Sequence, residues 1–189
     1  MSKTVLVPVA DGTEEIEAVS TIDVLRRAGA SVTVASVGEL QITASRGVRI
    51  VADCRIADCV DKTYDAIVLP GGIPGAEHLR DSKDLLGMLR HQKQEGRVIA
   101  AICAAPAVIL AHHGLIDSEK VTCHPFFTSQ LAPHEAVDHP VVVDGACITS
   151  RGAGTAVQFA LKLVEVLYGR DKAHEVAAAM VMTLDEDPS

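Results

Sequence analysis

A cysteine stands where an apolar, strand-like run passes directly into small residues that favour a helix. The run covers residues 98–102, Cys103 follows it, and the letters "AAPAVIL" come next. A thiol at the start of a helix lies in positive electrostatic potential, which favours the thiolate. The pattern indicates a nucleophilic cysteine that ionises near neutral pH. The alternative is that Cys103 is buried as a small hydrophobic side chain.

Three carboxylates, Glu14, Glu15 and Glu17, lie in the first turns of a predicted helix. For Glu14 and Glu15 the preferred interpretation is that they complement the positive end of the helix dipole. Glu17 differs because it lies at the boundary of the apolar stripe, where partial burial raises the pKa of a carboxyl group. A carboxyl that keeps its proton can donate a hydrogen bond to a thiolate, so Glu17 is the candidate acid partner of Cys103.

A glycine-rich run, "PGGIPGAEHL", follows another strand-like segment. The glycines fit a simple tight turn, or backbone N–H groups that face an anion or oxyanion. The run matches neither the P-loop nor the GxGxxG pattern, so phosphate binding is not indicated. An oxyanion site beside Cys103 is the stronger hypothesis, with the N–H of Gly71 or Gly72 and that of Ala104 as donors. The nucleophile elbow of hydrolases likewise places one donor directly after the nucleophile.

One histidine and two arginines complete the set of candidate residues. His124, in "VTCHPFF", is a candidate for polarising Cys103 as a Cys–His pair. No acid that would orient this ring is evident in the sequence, so a structural or substrate-binding role is preferred. Arg46 and Arg151 each lie in a Ser-Arg-Gly triplet. Such arginines are candidates for holding an anion, a carbonyl group or a partner chain, whereas a solvated surface charge is the usual alternative.

Strand-like and helix-like segments alternate along the chain and predict the frame that positions these residues. The letters "TVLVPVA" and "SVTVASV" predict strands on either side of the helix "TEEIEAVSTIDVLRRAG". The predicted buried stripe of that helix consists of Ile16, Val19, Ile22, Val24 and Leu25. Strands separated by helices of this length predict an α/β fold with a mostly parallel sheet and helices on both faces. Ligands bind such sheets at the carboxyl ends of the strands. One pocket is therefore expected to hold the segment "ADGTEEIE", the segment "PGGIPGA" and Cys103.

Length and composition limit the class of protein. A chain of 189 residues predicts a single domain over 1–189, with the tail 184–189 expected to fray. The formal net charge of −8 and the shortage of aromatic residues argue against a general nucleic-acid binder. No apolar run approaches the roughly 18 residues of a membrane helix, which argues against a membrane protein.

The five cysteines are scattered along the chain, at Cys54, Cys59, Cys103, Cys123 and Cys147. They form no CxxC pair and no zinc-ligand spacing, so no metal is expected. Free thiols fit a reducing compartment, and the first residues lack the pattern of a cleavable signal. A cytoplasmic protein is therefore expected.

Five stretches in a fixed order make the chain resemble a known family. They are "DGTEEIEAV", "YDAIVLPGG", "AAICAAPAVILAHHG", "VTCHP" and "TSRGAGTAVQFAL", and the likeness runs from about residue 4 to residue 182. Together they resemble the ThiJ/PfpI superfamily, and within it the branch of the parkinsonism-associated protein deglycase and the bacterial YajL-like proteins. The resemblance implies a flavodoxin-like α/β sandwich, a homodimer and chemistry without a cofactor.

The resemblance also implies roles for the candidate residues. Cys103 matches the reactive cysteine in a strained strand-to-helix turn, and Glu17 matches a protonated glutamate that hydrogen-bonds its sulfur. The remaining matches are the backbone groups of Gly71, Gly72 and Ala104 around the oxyanion site, His124 near the pocket, and Arg46 and Arg151 near the pocket and dimer interface.

Several activities are assigned to this branch, and they leave two functions open. The first is a glyoxalase or protein deglycase that acts on methylglyoxal, glyoxal or glycated amines through Cys103. The alternative is a redox-sensing chaperone whose cysteine is oxidised to sulfinic acid and which binds unfolding proteins. Protease-like members of the superfamily carry histidine directly after the nucleophile, where this chain has Ala104. Peptidase activity is therefore disfavoured.

Overall fold

The computed structural model describes residues 2–117 and 120–184. The predicted tail 184–189 lies outside these residues except for Leu184. The described strands are β1 (Thr4–Val9), β2 (Ser31–Ser36), β3 (Gln41–Thr43), β4 (Arg49–Val51), β5 (Cys54–Arg55), β6 (Ala66–Leu69), β7 (Val98–Ile102), β8 (Lys120–Val121), β9 (Glu135–Ala136), β10 (Val141–Asp144) and β11 (Cys147–Ser150). The helices are α1 (Glu15–Arg27), α2 (Gly75–Asp81), α3 (Lys83–Gln94), α4 (Ala156–Tyr168) and α5 (Arg170–Ala179). Shorter helical segments cover Ile56–Cys59, Pro106–Ala111, Pro125–Leu131 and Ala153–Thr155.

One sheet of seven strands runs through the molecule in the order β10-β11-β7-β6-β1-β2-β5. Its neighbouring strands are parallel except for the antiparallel pair β10 and β11. The strands β2, β1, β6, β7 and β11 follow the 2-1-3-4-5 order of flavodoxin-like folds. The predicted α/β fold with a mostly parallel sheet is confirmed. The strand order reverses between β1 and β6, so the ligand crevice of this topology opens at their carboxyl ends.

Helices cover both faces of the sheet because the strand side chains alternate. Val5, Val7 and Val9 of β1 face one side, where they share a core with residues of α1, α4 and α5. Leu6 faces the other side, where it shares a core with residues of α2, α3 and the segment Pro106–Ala111. No helix within 2–117 and 120–184 is both long and apolar enough to cross a membrane.

Helix α1 is rotated relative to the predicted buried stripe. Ile16 and Val19, predicted to be buried, are 54% and 48% exposed. The buried side of α1 instead contains Glu17, Ala18, Thr21, Val24 and Leu25, which recur at the spacing of one helical face. That part of the prediction was wrong because a carboxyl group, rather than the most apolar side chains, occupies the inward position nearest the carboxyl ends of the strands.

A small hairpin is fastened to the start of α1. Strands β3 and β4 pair antiparallel and form a hairpin around Arg46 and Gly47. Glu15 Oε1 accepts a hydrogen bond from the Arg46 backbone N–H at 2.9 Å, and Glu15 Oε2 accepts one from Ser45 Oγ at 2.9 Å. Burial acts to raise the pKa of Glu15, but these and other hydrogen bonds outweigh it and hold that pKa below its ordinary value. Glu15 therefore holds the hairpin by hydrogen bonds and does so in its ionised form.

Candidate active site

Cys103 occupies a strained turn between β7 and the helical segment that follows. Its φ of 65° lies in the left-handed region, which a residue other than glycine rarely adopts. The Cys103 N–H donates to the Ser150 carbonyl at 3.0 Å, and the Cys103 carbonyl accepts from the His124 N–H at 2.8 Å. Such a conformation costs on the order of 1–3 kcal/mol and persists where the surroundings fix it. The two hydrogen bonds, from neighbouring segments, hold the half-buried thiol at the end of the strand.

Two of the three predicted oxyanion donors face the sulfur. The backbone N–H groups of Gly72 and Ala104 donate towards Cys103 and act to lower its pKa. The N–H of Gly71 has another partner, because it donates to Glu17 Oε2 at 2.8 Å. Gly71 therefore positions the acid, and the donor pair of the candidate oxyanion site is Gly72 with Ala104.

The loop that carries these glycines is too close to its neighbours to accept side chains. A Cβ atom on Gly71 would lie 2.6 Å from Cys103 Cβ and 2.9 Å from Glu17 Oε2. Gly72 has a φ of +87°, and its Cβ would lie 2.4 Å from the carbonyl oxygen of Gly12. A Cβ on Gly75 would lie 2.4 Å from the Thr13 nitrogen. The loops after β1 and β6 therefore interlock backbone to backbone beside the sulfur.

Glu17 is buried against this pair of loops, with none of its surface exposed. Burial raises its pKa from 4.5 to about 7, although the Gly71 N–H and the Cys103 thiol favour the charged form. Its Oε1 atom is buried without a hydrogen-bond partner. The thiol interacts with the carboxyl group but does not complete a well-directed hydrogen bond to Oε1. A proton on Oε1 turns this atom into a donor beside the sulfur.

Beside the Glu17 carboxylate the pKa of the Cys103 thiol is raised, which is the direction opposite to the expectation of ionisation near neutral pH. Burial and the negative charge of Glu17 raise its pKa to about 12, and the N–H groups of Gly72 and Ala104 only partly oppose this. The helix-end argument fails because it omitted desolvation and the adjacent carboxylate. When Glu17 holds a proton, its charge is gone and its O–H can donate to sulfur. Cys103 and Glu17 therefore form a pair that carries one negative charge near neutral pH.

His124 lies near the sulfur, but it is not bonded to it. The Phe126 N–H donates to His124 Nδ1 at 3.4 Å. In the neutral ring the proton is therefore assigned to Nε2, which makes that atom a donor and not a base. A Cβ atom on Gly152 would lie 3.6 Å from His124 Cδ2 and 4.0 Å from Cys103 Sγ. The structure thus brings His124, Gly152 and Cys103 together, and it favours the binding role over a Cys–His pair.

The two arginines are not joined to the Cys103 group. The exposed Arg46 lies at the hairpin tip, where its backbone bonds to Glu15. Arg151 forms an ion pair with Asp138. Along the ranges 2–117 and 120–184 no cluster of three or more histidine, cysteine, aspartate or glutamate side chains could hold a metal ion.

Sequence reasoning missed the close contacts that three further glycines make across the site. Gly12, Gly75 and Gly152 each lie against another segment of the site. The letters "ADGTEE" directly after β1 are the signal that was available for Gly12. Gly75 lies within the predicted glycine run, but its contact with Thr13, like that of Gly152 with His124, joins segments distant in the sequence and follows from no local pattern.

The raised pKa of Glu17 predicts a pH-dependent stability. The folded protein binds this proton more tightly than the unfolded chain, so ionisation of Glu17 lowers the free energy of unfolding. This penalty is absent below pH 4.5 and complete above about 7. At 1.36 kcal/mol per pKa unit the penalty is on the order of 3 kcal/mol. Glu17→Gln cannot ionise, so its free energy of unfolding relative to wild type should rise by that order across the interval. Urea denaturation at a series of pH values measures this difference, and a constant difference would contradict the assignment.

Comparison with known proteins gives the family. Residues 3–166 match the model of the DJ-1/PfpI family. Protein DJ-1 homolog A of Arabidopsis thaliana is 46% identical over 184 residues, which cover 96% of this chain and 47% of that protein. The chain thus spans about half the length of that relative. The glutathione-independent glyoxalase DJR-1.2 of Caenorhabditis elegans is 40% identical over 177 residues, 93% of each chain.

A solved structure matches the whole fold. Oxidized DJ-1 of Toxoplasma gondii superposes with a TM-score of 0.95 at 48% sequence identity, over 97% of this chain and 100% of that one. The predicted resemblance to the ThiJ/PfpI superfamily is therefore confirmed. By its sequence, its sheet topology and these relatives, this chain belongs to the DJ-1/PfpI family.

Proposed function

We propose that this protein is a cofactor-independent glyoxalase that converts methylglyoxal or glyoxal to the 2-hydroxy acid through Cys103. The observation that carries the proposal is the buried Glu17 carboxyl, whose pKa of about 7 suits proton transfer, placed against the Cys103 thiol. The name of the Caenorhabditis elegans relative, a glutathione-independent glyoxalase, supports the same reaction class.

The reaction begins when the Cys103 proton passes to the Glu17 carboxylate, which leaves the negative charge on sulfur. The sulfur attacks the aldehyde carbon of methylglyoxal and forms a hemithioacetal. The N–H groups of Gly72 and Ala104 stabilise the alkoxide, which takes the Glu17 proton. Glu17, now a carboxylate, removes the hydrogen from the former aldehyde carbon and returns a proton to the neighbouring carbon, while the hydroxyl proton of the hemithioacetal passes to the oxygen on that neighbouring carbon. The product is a lactoyl thioester on Cys103, and water hydrolyses it to lactate and the thiol.

A deglycase follows from the same chemistry with a different leaving group. In that version the substrate is the adduct of methylglyoxal with an amine of a protein or nucleotide, and the amine leaves as Cys103 captures the carbonyl carbon. The test of this activity uses an adduct from which all unbound methylglyoxal has been removed. Without that step, a glyoxalase that only consumes the free aldehyde would also reverse adduct formation.

The glyoxalase proposal is tested by proton NMR with methylglyoxal in D₂O and without glutathione. We expect lactate with deuterium at its second carbon, because the carboxyl proton of Glu17 exchanges with solvent during transfer. Heat-denatured protein serves as the control for spontaneous conversion. Lactate formation no faster than this control would contradict the proposed activity.

A redox sensor is the second candidate, favoured by the same proton donor. An O–H on Glu17 beside the sulfur can hydrogen-bond to a sulfinate on Cys103 and stabilise it. In this function the oxidised protein binds unfolding proteins and turnover is incidental. Protection of a heat-aggregating protein by the peroxide-treated form, and none by the Cys103→Ser variant, would favour this candidate.

We also propose a homodimer that uses α1 and the hairpin. Ile16 and Val19 on α1, with Val48 and Val51 on the hairpin, are large apolar side chains left exposed on two segments that are bonded together. Light scattering should give a mass near twice 19.9 kDa. Ile16→Asp should lower the mass towards the single chain, whereas Val181→Asp, at another exposed valine, should leave it unchanged. A single-chain mass for the wild type would contradict the dimer.

A further inference from the structure

Two thiols lie side by side at an edge of the sheet. Cys54 belongs to the edge strand β5, and Cys59 ends the helical segment that follows it. Their sulfur atoms are 3.5 Å apart. The strands β6, β1 and β2 separate them from β7 and therefore from Cys103. The glyoxalase chemistry makes no use of this pair.

The two thiols differ in access. Cys54 is half-buried, whereas Cys59 has none of its surface exposed. The Tyr64 hydroxyl is buried without a well-directed hydrogen bond, and it lies close to Cys59. A thiolate on Cys59 would accept a hydrogen bond from this hydroxyl. The arrangement thus supplies one thiol that solvent can reach and a second thiol with a donor beside it.

We propose that Cys54 and Cys59 form a reversible dithiol–disulfide site that exchanges with small disulfides of the glutathione class. The sulfur atoms need to approach from 3.5 Å to the bonding distance of about 2.0 Å. The strand β5 has only two residues and pairs on one side, with β2, so the sulfur atoms approach by a rotation of the Cys54 side chain and a shift of this edge.

The exchange proceeds in two balanced steps. The Cys54 thiolate attacks one sulfur of the small disulfide, so that a mixed disulfide forms and one small thiolate leaves. Cys59, deprotonated, then attacks the Cys54 sulfur and releases the second small thiolate. Each departing thiolate takes up a proton. Two electrons and two protons pass from the protein to the small disulfide, which becomes two thiols.

The charges around the pair set the pH at which it reacts. Burial, the hydrogen bond with Cys59 and its charge raise the pKa of Cys54 to about 11, and Asp58 adds to this while Lys62 opposes it. Tyr64 lies close to Cys59 and interacts with it. The thiolate fraction of Cys54 is therefore small at neutral pH. The rate of exchange should rise about tenfold per pH unit between roughly pH 7 and 9.

Peptide mapping tests the site on the full chain. The protein is equilibrated with mixtures of oxidised and reduced glutathione, denatured, alkylated and digested with trypsin. Cleavage at Arg55 separates "IVADCR" from "IADCVDK", so a bond between Cys54 and Cys59 joins two peptides that are otherwise apart. We expect the joined pair to appear as the mixture becomes more oxidising, with two of the five cysteines escaping alkylation, and to disappear when reduced glutathione is added in excess.

Three variants distinguish the role of Cys54 from that of Cys59. Cys59→Ala should trap Cys54 as a mixed disulfide with glutathione, and Cys54→Ser should abolish the joined peptides. Cys147→Ser, at another half-buried thiol, should leave their yield unchanged. Absence of the joined peptides from the wild type after equilibration at about pH 9 would overturn the proposal. Failure of Cys59→Ala to hold glutathione on Cys54 would overturn the assignment of Cys54 as the entering thiol.

Discussion

Replacement of Cys103 by serine is expected to abolish lactate formation from methylglyoxal, with a loss of roughly 10³-fold or more. A serine hydroxyl is a far weaker acid than a thiol, so the Glu17 carboxylate cannot deprotonate it to an alkoxide near neutral pH. The covalent adduct then does not form, and the donors of Gly72 and Ala104 have no intermediate to stabilise. Lactate assays at saturating methylglyoxal measure the loss.

A matched variant distinguishes a lost nucleophile from a damaged fold. Cys147→Ser replaces another half-buried thiol, at the start of β11, and should keep activity close to that of wild type. Both variants should unfold at similar urea concentrations, because serine fits the positive φ of residue 103 as well as cysteine does. Appreciable lactate formation by Cys103→Ser would show that this thiol is not the nucleophile of the reaction.

Glu17→Gln is expected to lower lactate formation by roughly 10²–10⁴-fold. The amide keeps the size of the side chain, accepts from the Gly71 N–H and donates to the Cys103 sulfur, but it cannot move a proton between two carbons. Glu17→Ala should lose as much activity or more, because it also leaves the Gly71 N–H without an acceptor. The two variants separate proton transfer from support of the site.

Alkylation of Cys103 gives these variants a second readout. Loss of the carboxylate charge removes one of the causes that raise the pKa of Cys103 to about 12. At mildly alkaline pH, the rate of iodoacetamide reaction should therefore be fastest for Glu17→Gln, intermediate for Glu17→Ala and slowest for the wild type. Near-normal lactate formation by Glu17→Gln would assign the proton transfer elsewhere, with His124 as the next candidate. An unchanged alkylation rate in both variants would show that Glu17 does not control the thiol.

Sequence patterns predicted the frame of the molecule better than its electrostatics. Apolar runs separated by helix-length segments were enough for the α/β fold, and the position of Cys103 after β7 followed from a local change of residue type. The rotation of α1 was missed because hydrophobicity favours Ile16 and Val19 as buried residues, whereas the crevice requires Glu17 on the inner face. That requirement arises from Gly71 and Cys103, which are far away in the sequence.

The acidity of the thiol was beyond the reach of a local pattern for a similar reason. Helix position argues for a low pKa, but desolvation and the charge of Glu17 act in the opposite direction and prevail. Both depend on how segments from β1, β6 and β7 meet. The use of the Gly71 N–H by Glu17, in place of an oxyanion, likewise depends on how close the loop after β6 comes to α1, with the Gly71 nitrogen 2.8 Å from Glu17 Oε2.

The interlocked loops after β1 and β6 limit how this family member can evolve. Gly12, Gly72 and Gly75 have atoms of the opposite loop where a side chain would begin, and Gly71 has atoms of Cys103 and Glu17 there, so a change at any one of them displaces part of the site. Ile73, in the middle of the same run, is 45% exposed and is free to vary. Adaptation to new substrates is therefore expected to proceed through the permissive position, while the surrounding glycines change only as a set.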